Sequence, residues 1–266
     1  MKIFDAHTHI FPEKIAERAV DGIGEFYDMS MSHSGTAADL TKRLKSCGVC
    51  GCMVCAVATV KEQVGSINDF IADEVQKSNG FMVGFCSLHP DMTANEVDAE
   101  ITRAQSLGLK GVKLHPDFQR FRADGKRASR IYEVIGSRLP VLIHAGDSRY
   151  EFSSPHKIAN ALKQFSDLTV IAAHLGGWSE WDEAALTLAG KFADRLYVDT
   201  SSSLYAMSPK KAAEYIGAFT EDFVMFGTDY PMWDIREELQ RFDRLDLTNT
   251  TREKILYKNS QKLLQY

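Results

Sequence analysis

Short apolar runs recur along the chain, and most are followed by a stretch whose apolar residues lie three or four positions apart. Runs rich in β-branched and aliphatic residues that alternate with helical periodicity are typical of strand–helix units around a parallel sheet. The runs at 140–144 and 168–173 are continuously apolar, as expected of strands covered on both faces. The pattern predicts strands near residues 2–6, 51–57, 82–88, 110–115, 140–145, 168–173, 195–199 and 222–227.

Helical periodicity marks the segments between these strands. Pro155 and Pro209 suit the first turn of a helix, and Gly80 and Gly108 suit positions where a helix ends. The segment 10–40 is less regular and is expected to be a loop with a short helix. Helices are predicted at Ile67–Lys77, Glu96–Leu107, Ala128–Leu139, Pro155–Phe165, Pro209–Phe219 and Arg236–Leu245.

The alternation predicts an α/β fold, a single (β/α)8 TIM-like barrel that occupies residues 1–266. Domains of about 250 residues are typical of this barrel. A doubly wound open sheet is the competing architecture, but the sequence has neither G-x-G-x-x-G after a strand nor G-x-x-x-x-G-K-[ST]. Nucleotide binding therefore has no support.

Composition narrows the class of protein. The chain is 44% hydrophobic and 25% charged, with a formal net charge of -5, so it offers no basic surface to nucleic acid. No secretory leader fits the first residues, and no run reaches the ~18 apolar residues that a membrane span needs. We expect a cytoplasmic protein with a small-molecule substrate and no membrane partner; the oligomeric state stays open, a homo-oligomer being one option.

Four of the five cysteines lie close together, at Cys47, Cys50, Cys52 and Cys55. Their C-x2-C-x-C-x2-C spacing matches neither the common iron–sulfur nor the common zinc patterns. We expect reduced thiols that enter the second strand as small buried hydrophobes, after a helix that ends at Gly48.

Polar residues stand at the ends of the predicted strands. In a (β/α)8 barrel the carboxyl ends of all strands face one mouth, so groups far apart in sequence meet there. His7-Thr8-His9 places two imidazoles on the same side of an extended chain, where one ion can bind both. A lone histidine is more often a core residue, but the set predicts a metal site. The set comprises His7, His9, His115, His144, His174 and Asp229.

Several motifs extend this pattern over the whole chain: FDAHTH at 4–9, GVKLHP at 111–116, LIHAG at 142–146, AHLGG at 173–177 and FGTDYP at 226–231. Together they resemble the amidohydrolase superfamily, in the branch that includes aminocarboxymuconate semialdehyde decarboxylase. The resemblance implies a divalent metal bound by His7, His9, His144 and Asp229. It also implies that His174 acts on the substrate and that Asp229 relays a proton, which makes both candidate catalytic residues. Zinc is the default for such ligands, although manganese, iron or cobalt would also fit.

Lys113 leaves the number of metals open. Its motif resembles that of dihydroorotases, where a carboxylated lysine bridges two metals, whereas the decarboxylase relatives use one metal. With two metals, Lys113 and His174 would be additional ligands. With a single metal, Lys113 would contact only a phosphate, a carboxylate or a neighbouring acid.

Two further residues are candidate substrate contacts. His115 would lie at the rim, or would instead cap the turn that follows it. Arg149 could hold a substrate carboxylate by charge-assisted hydrogen bonds, or could be a solvated loop residue.

The reaction favoured by the sequence is hydrolysis of a C–N, ester or lactone bond in a small polar substrate by metal-activated water. Two features favour hydrolysis: the compact chain leaves little room for inserted substrate-binding segments, and the fourth strand carries the Lys113 motif. Non-oxidative decarboxylation of a small unsaturated or aromatic acid is the alternative, because the ligands would serve both reactions. A sensor that has lost its chemistry is the non-enzymatic alternative.

Overall fold

A computed structural model describes residues 1–192 and 194–265; Ala193 and Tyr266, the last residue of the predicted domain, lie outside the described residues. Within the described residues, eight parallel strands pair in sequence order, which confirms the (β/α)8 barrel. The strands are β1 (Phe4–His9), β2 (Gly51–Cys55), β3 (Met82–Ser87), β4 (Gly111–Leu114), β5 (Val141–Ile143), β6 (Val170–Ala172), β7 (Leu196–Asp199) and β8 (Val224–Met225).

Helices follow the strands and cover the outside of the barrel. Three short 3-10 turns interrupt the connections, at Lys61–Gln63, His174–Gly176 and Glu221–Phe223, and a π-helical turn spans Lys254–Lys258. The α-helices are α1 (Glu13–Tyr27), α2 (Ala37–Ser46), α3 (Val64–Lys77), α4 (Ala94–Ser106), α5 (Pro116–Gln119), α6 (Lys126–Ile135), α7 (Pro155–Gln164), α8 (Trp181–Thr187), α9 (Pro209–Phe219), α10 (Ile235–Asp243), α11 (Asn249–Glu253) and α12 (Asn259–Leu264). Among the described residues, no helix has the length and apolar character needed to cross a membrane.

The barrel closes where the chain after β8 meets β1. The amide of Ala6 donates to the carbonyl of Phe226 at 2.8 Å, and the amide of Asp229 donates to the carbonyl of His7 at 2.8 Å. The amide of His9 donates to the carbonyl of Tyr230 at 2.7 Å. This seam places Asp229 beside the two histidines of the first strand.

The space inside the barrel is filled by side chains. Phe4, Met53, Phe85, Leu142 and Met225 are buried there as one cluster, separate from the larger layer between strands and helices. Because the interior is packed, a ligand can enter only at the ends of the strands.

Three differences from the prediction concern the first strand, the segment that follows it and the helix after β4. β1 runs from Phe4 to His9, so the paired histidines lie on the strand and do not follow it. The segment 10–40, predicted to be mainly a loop, contains the 15-residue helix α1. The helix predicted to reach Leu139 ends at Ile135, because Gly136 adopts a positive φ of 51°.

Candidate metal centre

Three side chains from the closing seam bring their ligand atoms together. The Nε2 atoms of His7 and His9 lie 3.2 Å apart, and Asp229 Oδ1 lies 3.5 and 3.4 Å from them. Two imidazole nitrogens and a carboxylate oxygen at this separation form a group that can hold a metal ion. The structure therefore brings together three of the four predicted ligands.

Asp199 fixes the orientation of His7. The Nδ1–H of His7 donates to Asp199 Oδ2 at 3.0 Å, so the Nε2 of the neutral ring carries a lone pair toward His9 and Asp229. Burial alone would raise the pKa of Asp199, but His7 and His174 hold it below its usual range. A histidine that binds a metal through one ring nitrogen usually donates the N–H of the other nitrogen to an acceptor such as a carboxylate.

Asp229 is ionised and also oriented. Burial would raise its pKa, but the nearby His7, His9 and His174 hold it well below the usual range. Its Oδ2 accepts a hydrogen bond from Ser202 Oγ at 2.6 Å. The other oxygen, Oδ1, is thereby left facing the imidazoles.

His144 and His174 form a second pair beside this group. The Nδ1–H of His174 donates to the carbonyl of Ser201 at 3.1 Å, so its Nε2 accepts from the Nδ1–H of His144 at 3.0 Å. Burial lowers the pKa of both rings, which keeps them neutral. The buried Nε2 of His144 makes no hydrogen bond in the described chain and faces Asp117, whose Oδ2 lies 3.7 Å away.

Lys113 reaches the ligand group from β4. Its side chain is buried, and Nζ lies 3.0 Å from the Nε2 of His7. His7, His174 and Asp199 form a second group of possible ligands on the same side. The grouped nitrogen and carboxylate oxygen atoms of His7, His9 and Asp229 fit a divalent cation that prefers nitrogen and oxygen ligands.

His115 has the position that both of its expected roles require. It caps α5, because its Nδ1 accepts from the amide of Phe118 at 3.3 Å, and it also lines the cavity over the ligand group. Its ring stacks on His144, with the ring centres 4.1 Å apart. Burial holds the pKa of His115 well below its usual value, so the remaining Nε2–H donates to Tyr27 Oη at 3.0 Å.

Arg149 lies apart from the ligand group. Its guanidinium donates two hydrogen bonds to Asp147, at 2.9 and 2.8 Å, and one to the carbonyl of Phe26 at 2.8 Å. In the part of the chain that the structure describes, Arg149 is not among the residues that line the cavity. Its hydrogen bonds are used within the protein.

Three residues that sequence reasoning missed belong to the site. Asp199 ends β7, a position that could have been recognised, because the other candidates also end strands. Tyr27 accepts from His115, so its own hydroxyl proton is free to point into the cavity. Asp117 follows His115 by two residues and lines the cavity, and burial raises its pKa to about 7.

The ligand group opens into a cavity of about 800 Å³. The cavity has the size of a small-molecule site. Its wall at the ligand end includes His9, His144, His174 and Asp229, together with Tyr27 from α1.

The comparisons with known proteins agree with this geometry. The profile of the amidohydrolase family matches residues 4–265. No curated protein matches the sequence. The fold is similar to an uncharacterised TIM-barrel protein from Bordetella bronchiseptica, with a TM-score of 0.82 and 20% identity over 100% of this chain and 99% of that one.

Two similar structures are of named enzymes. A 5-carboxyvanillate decarboxylase from Novosphingobium aromaticivorans, complexed with manganese and a nitrobenzoic acid, has a TM-score of 0.76 and 15% identity over 100% of this chain and 96% of that one. A probable 2-pyrone-4,6-dicarboxylic acid hydrolase from Acinetobacter baumannii has a TM-score of 0.72 and 16% identity, with both chains fully covered. The profile match over nearly the whole length, on a barrel with histidines and an aspartate at its strand ends, places this chain in the amidohydrolase family.

Proposed function

We propose that this protein is a divalent-metal-dependent hydrolase that cleaves a C–N, ester or lactone bond of a small polar molecule. The observation that carries the proposal is the carboxylate of Asp229 beside the paired imidazoles: its Oδ1 lies 3.5 and 3.4 Å from the Nε2 atoms of His7 and His9. A hydrolase needs a base at the position where water is activated, and Asp229 supplies one.

The metal would be held by His7, His9 and Asp229, with His144 as the predicted fourth ligand, whose Nδ1 lies 3.0 Å from the Nε2 of His174. When bound, a divalent cation polarises a carbonyl and lowers the pKa of water toward neutrality. Zinc suits these ligands, and the manganese in a similar structure makes that ion the first alternative.

The protein's own groups would perform the proton transfers. Asp229 accepts a proton from the attacking water as the new C–O bond forms, and it delivers that proton to the leaving nitrogen or oxygen as the old bond breaks. His174 would orient the water or the leaving group. Tyr27 would donate a hydrogen bond from its hydroxyl to a substrate oxygen, since its oxygen already accepts from His115.

A second candidate is metal-dependent decarboxylation of an unsaturated or aromatic acid. It is favoured by the apolar character of much of the cavity wall, where Phe11, Ile23, Phe26 and Phe118 contribute side chains. A carboxylate loses carbon dioxide more readily when the surroundings do not stabilise its charge. Several of the similar structures are decarboxylases.

Isotope incorporation separates the two reactions. Protein reconstituted with zinc or manganese is screened against lactone dicarboxylates and phenolic benzoates, and any product is analysed by mass spectrometry in heavy-oxygen water and in deuterated water. Hydrolysis places one heavy oxygen in the product. Decarboxylation instead places one deuterium on carbon and releases carbon dioxide. Deuterium on carbon together with carbon dioxide release would reject the hydrolase; no metal-dependent turnover on either panel would count against both.

A further inference from the structure

The cavity at the ligand group continues outward as a cleft between two helices. Its walls include Ile15, Ala19 and Ile23 of α1 and Ile67 and Phe70 of α3. These five residues define what we call the α1–α3 cleft. They lie on helices outside the ring of strands, whereas the candidate ligands lie at strand ends.

The three cleft residues of α1, which are Ile15, Ala19 and Ile23, form a second apolar face of that helix. This helix buries Ala16, Val20 and Gly24 on one side, while the cleft residues occupy another side and are only partly covered. Ile15 is 38% exposed. Burying such a face would stabilise a complex by about 25 cal/mol per Å² of apolar surface. A partly covered apolar face that continues into the candidate metal centre therefore suits the apolar part of a ligand.

Positive charge lies at the outer end of the cleft. Lys14 and Arg18, one helical turn apart on α1, both line the cavity and are exposed. In the described part of the chain no carboxylate pairs with either of them. The acidic residues that line the same cavity, Asp117 and Asp229, lie at the ligand end.

The length of α1 separates the two ends. Tyr27 contacts His115 at the ligand end, and Arg18 and Lys14 precede it by nine and thirteen residues. At a rise of 1.5 Å per residue, these cations lie about 14 and about 20 Å along the helix from Tyr27. A ligand that reaches from Tyr27 to both cations must therefore be elongated.

We propose that the substrate is an elongated amphiphilic anion. Its apolar body would lie in the α1–α3 cleft, its distal anionic group would meet Lys14 and Arg18, and its reacting group would lie at His7, His9 and Asp229. The last part rests on the proposed function; the binding of the apolar body and the distal anion does not.

Straight-chain acids of graded length test the proposal as binding probes. Binding of butanedioate, octanedioate, dodecanoate and dodecanedioate to manganese-loaded and metal-free protein is measured by isothermal titration calorimetry. We expect affinity to rise with chain length. Replacing both Lys14 and Arg18 by Gln should lower the affinity for dodecanedioate by about two- to fivefold, since exposed ion pairs contribute ~0.2–1 kcal/mol. Dodecanoate, which has no second anion, should bind as before.

Gly22 offers a direct way to fill the cleft. It lines the cavity within α1, and an added Cβ there meets no atom within 4 Å. Gly22→Leu should retain the helix, because leucine has the higher helix propensity, and should weaken both twelve-carbon probes about tenfold or more. Gly217→Leu is the matched control: it also lies in a helix with open space around its Cβ, but on α9 and away from the cavity.

The outcomes are distinguishable. Equal binding of the long probes by wild type and Gly22→Leu would overturn the proposal, as would equal binding of butanedioate and dodecanedioate by wild type. If Gly22→Leu altered only the sedimentation of the protein, the cleft would be an interface between copies of the chain and the proposal would be wrong. If the protein shows no metal-dependent turnover but Gly22→Leu still weakens the binding of the long probes, only the proposed function is rejected.

Discussion

Replacing Asp199 by Asn tests how the protein prepares His7 to bind a metal. In the wild type, Asp199 Oδ2 accepts from the Nδ1–H of His7, and Oδ1 accepts from the amides of His174 and Ser201 at 3.2 and 3.1 Å. The amide of Asn would keep its oxygen toward those two backbone donors. Its NH2 group would then face His7.

This reversal weakens the metal-binding tautomer of the histidine. The Nδ1–H loses its carboxylate acceptor and keeps only Ser201 Oγ, at 3.0 Å, so the form with a lone pair on Nε2 is less favoured. Loss of a second partner of this kind typically costs ten- to a hundredfold in metal affinity, or about 1.4–2.7 kcal/mol. We expect a loss in this range for Asp199→Asn, because Asp199 is fully buried and solvent cannot replace it.

Competition with a chelating dye, using manganese and zinc in turn, measures the effect. Circular dichroism of the metal-free protein confirms that the variant is folded. Glu238→Gln serves as a control, because it neutralises another fully buried carboxyl, on α10, whose hydrogen-bond partner is Arg241. Metal affinity of Asp199→Asn within about twofold of wild type, in a protein where His7→Ala loses the metal, would refute the tautomer argument.

Three further predictions follow from the site and the core. Treatment with a chelator should abolish activity and added zinc or manganese should restore it; elemental analysis should find about one equivalent, whereas about two would instead indicate a carboxylated Lys113. Tyr27→Phe should lower kcat/KM up to about tenfold with unchanged metal content, since one hydrogen bond contributes ~0.5–1.5 kcal/mol, and unchanged kinetics would contradict its role. Burial raises the pKa of Glu238 from 4.5 to about 7, so the folded protein holds a proton that the unfolded chain releases, and stability falls as pH rises through this window. Urea titrations at several pH values measure the free energy of unfolding. Glu238→Gln should reduce the fall of this free energy with pH by up to about 3 kcal/mol, and an unchanged pH dependence would show that Glu238 does not cause the fall.

Much of the architecture follows from local patterns. The barrel could be predicted because buried parallel strands read as short apolar runs, and His7 and His9 stood out because two residues is the repeat of a strand. Asp229 and His174 could be placed at the mouth for the same reason. Their roles as ligand and proton carrier stay predictions.

Other parts of the site depend on contacts that no local pattern encodes. Tyr27 comes from α1, which was expected to be mainly a loop because Gly22 and Gly24 interrupt its periodicity. Gly24 is required by close packing, since a Cβ there would lie 2.8 Å from the carbonyl of Met29. Arg149 binds Asp147 of its own loop and the carbonyl of Phe26, and only the contact with Phe26 comes from a distant segment that its own loop does not encode.

The seam between β1 and the chain after β8 gives the metal site an unusual relation to synthesis of the protein. His7 and His9 leave the ribosome first, but Asp229 follows only when almost the whole barrel has been made. A nascent chain therefore offers the pair of imidazoles long before it offers the carboxylate. If these residues bind a metal, tight capture should coincide with closure of the barrel, so that metal uptake would report that the seam has formed.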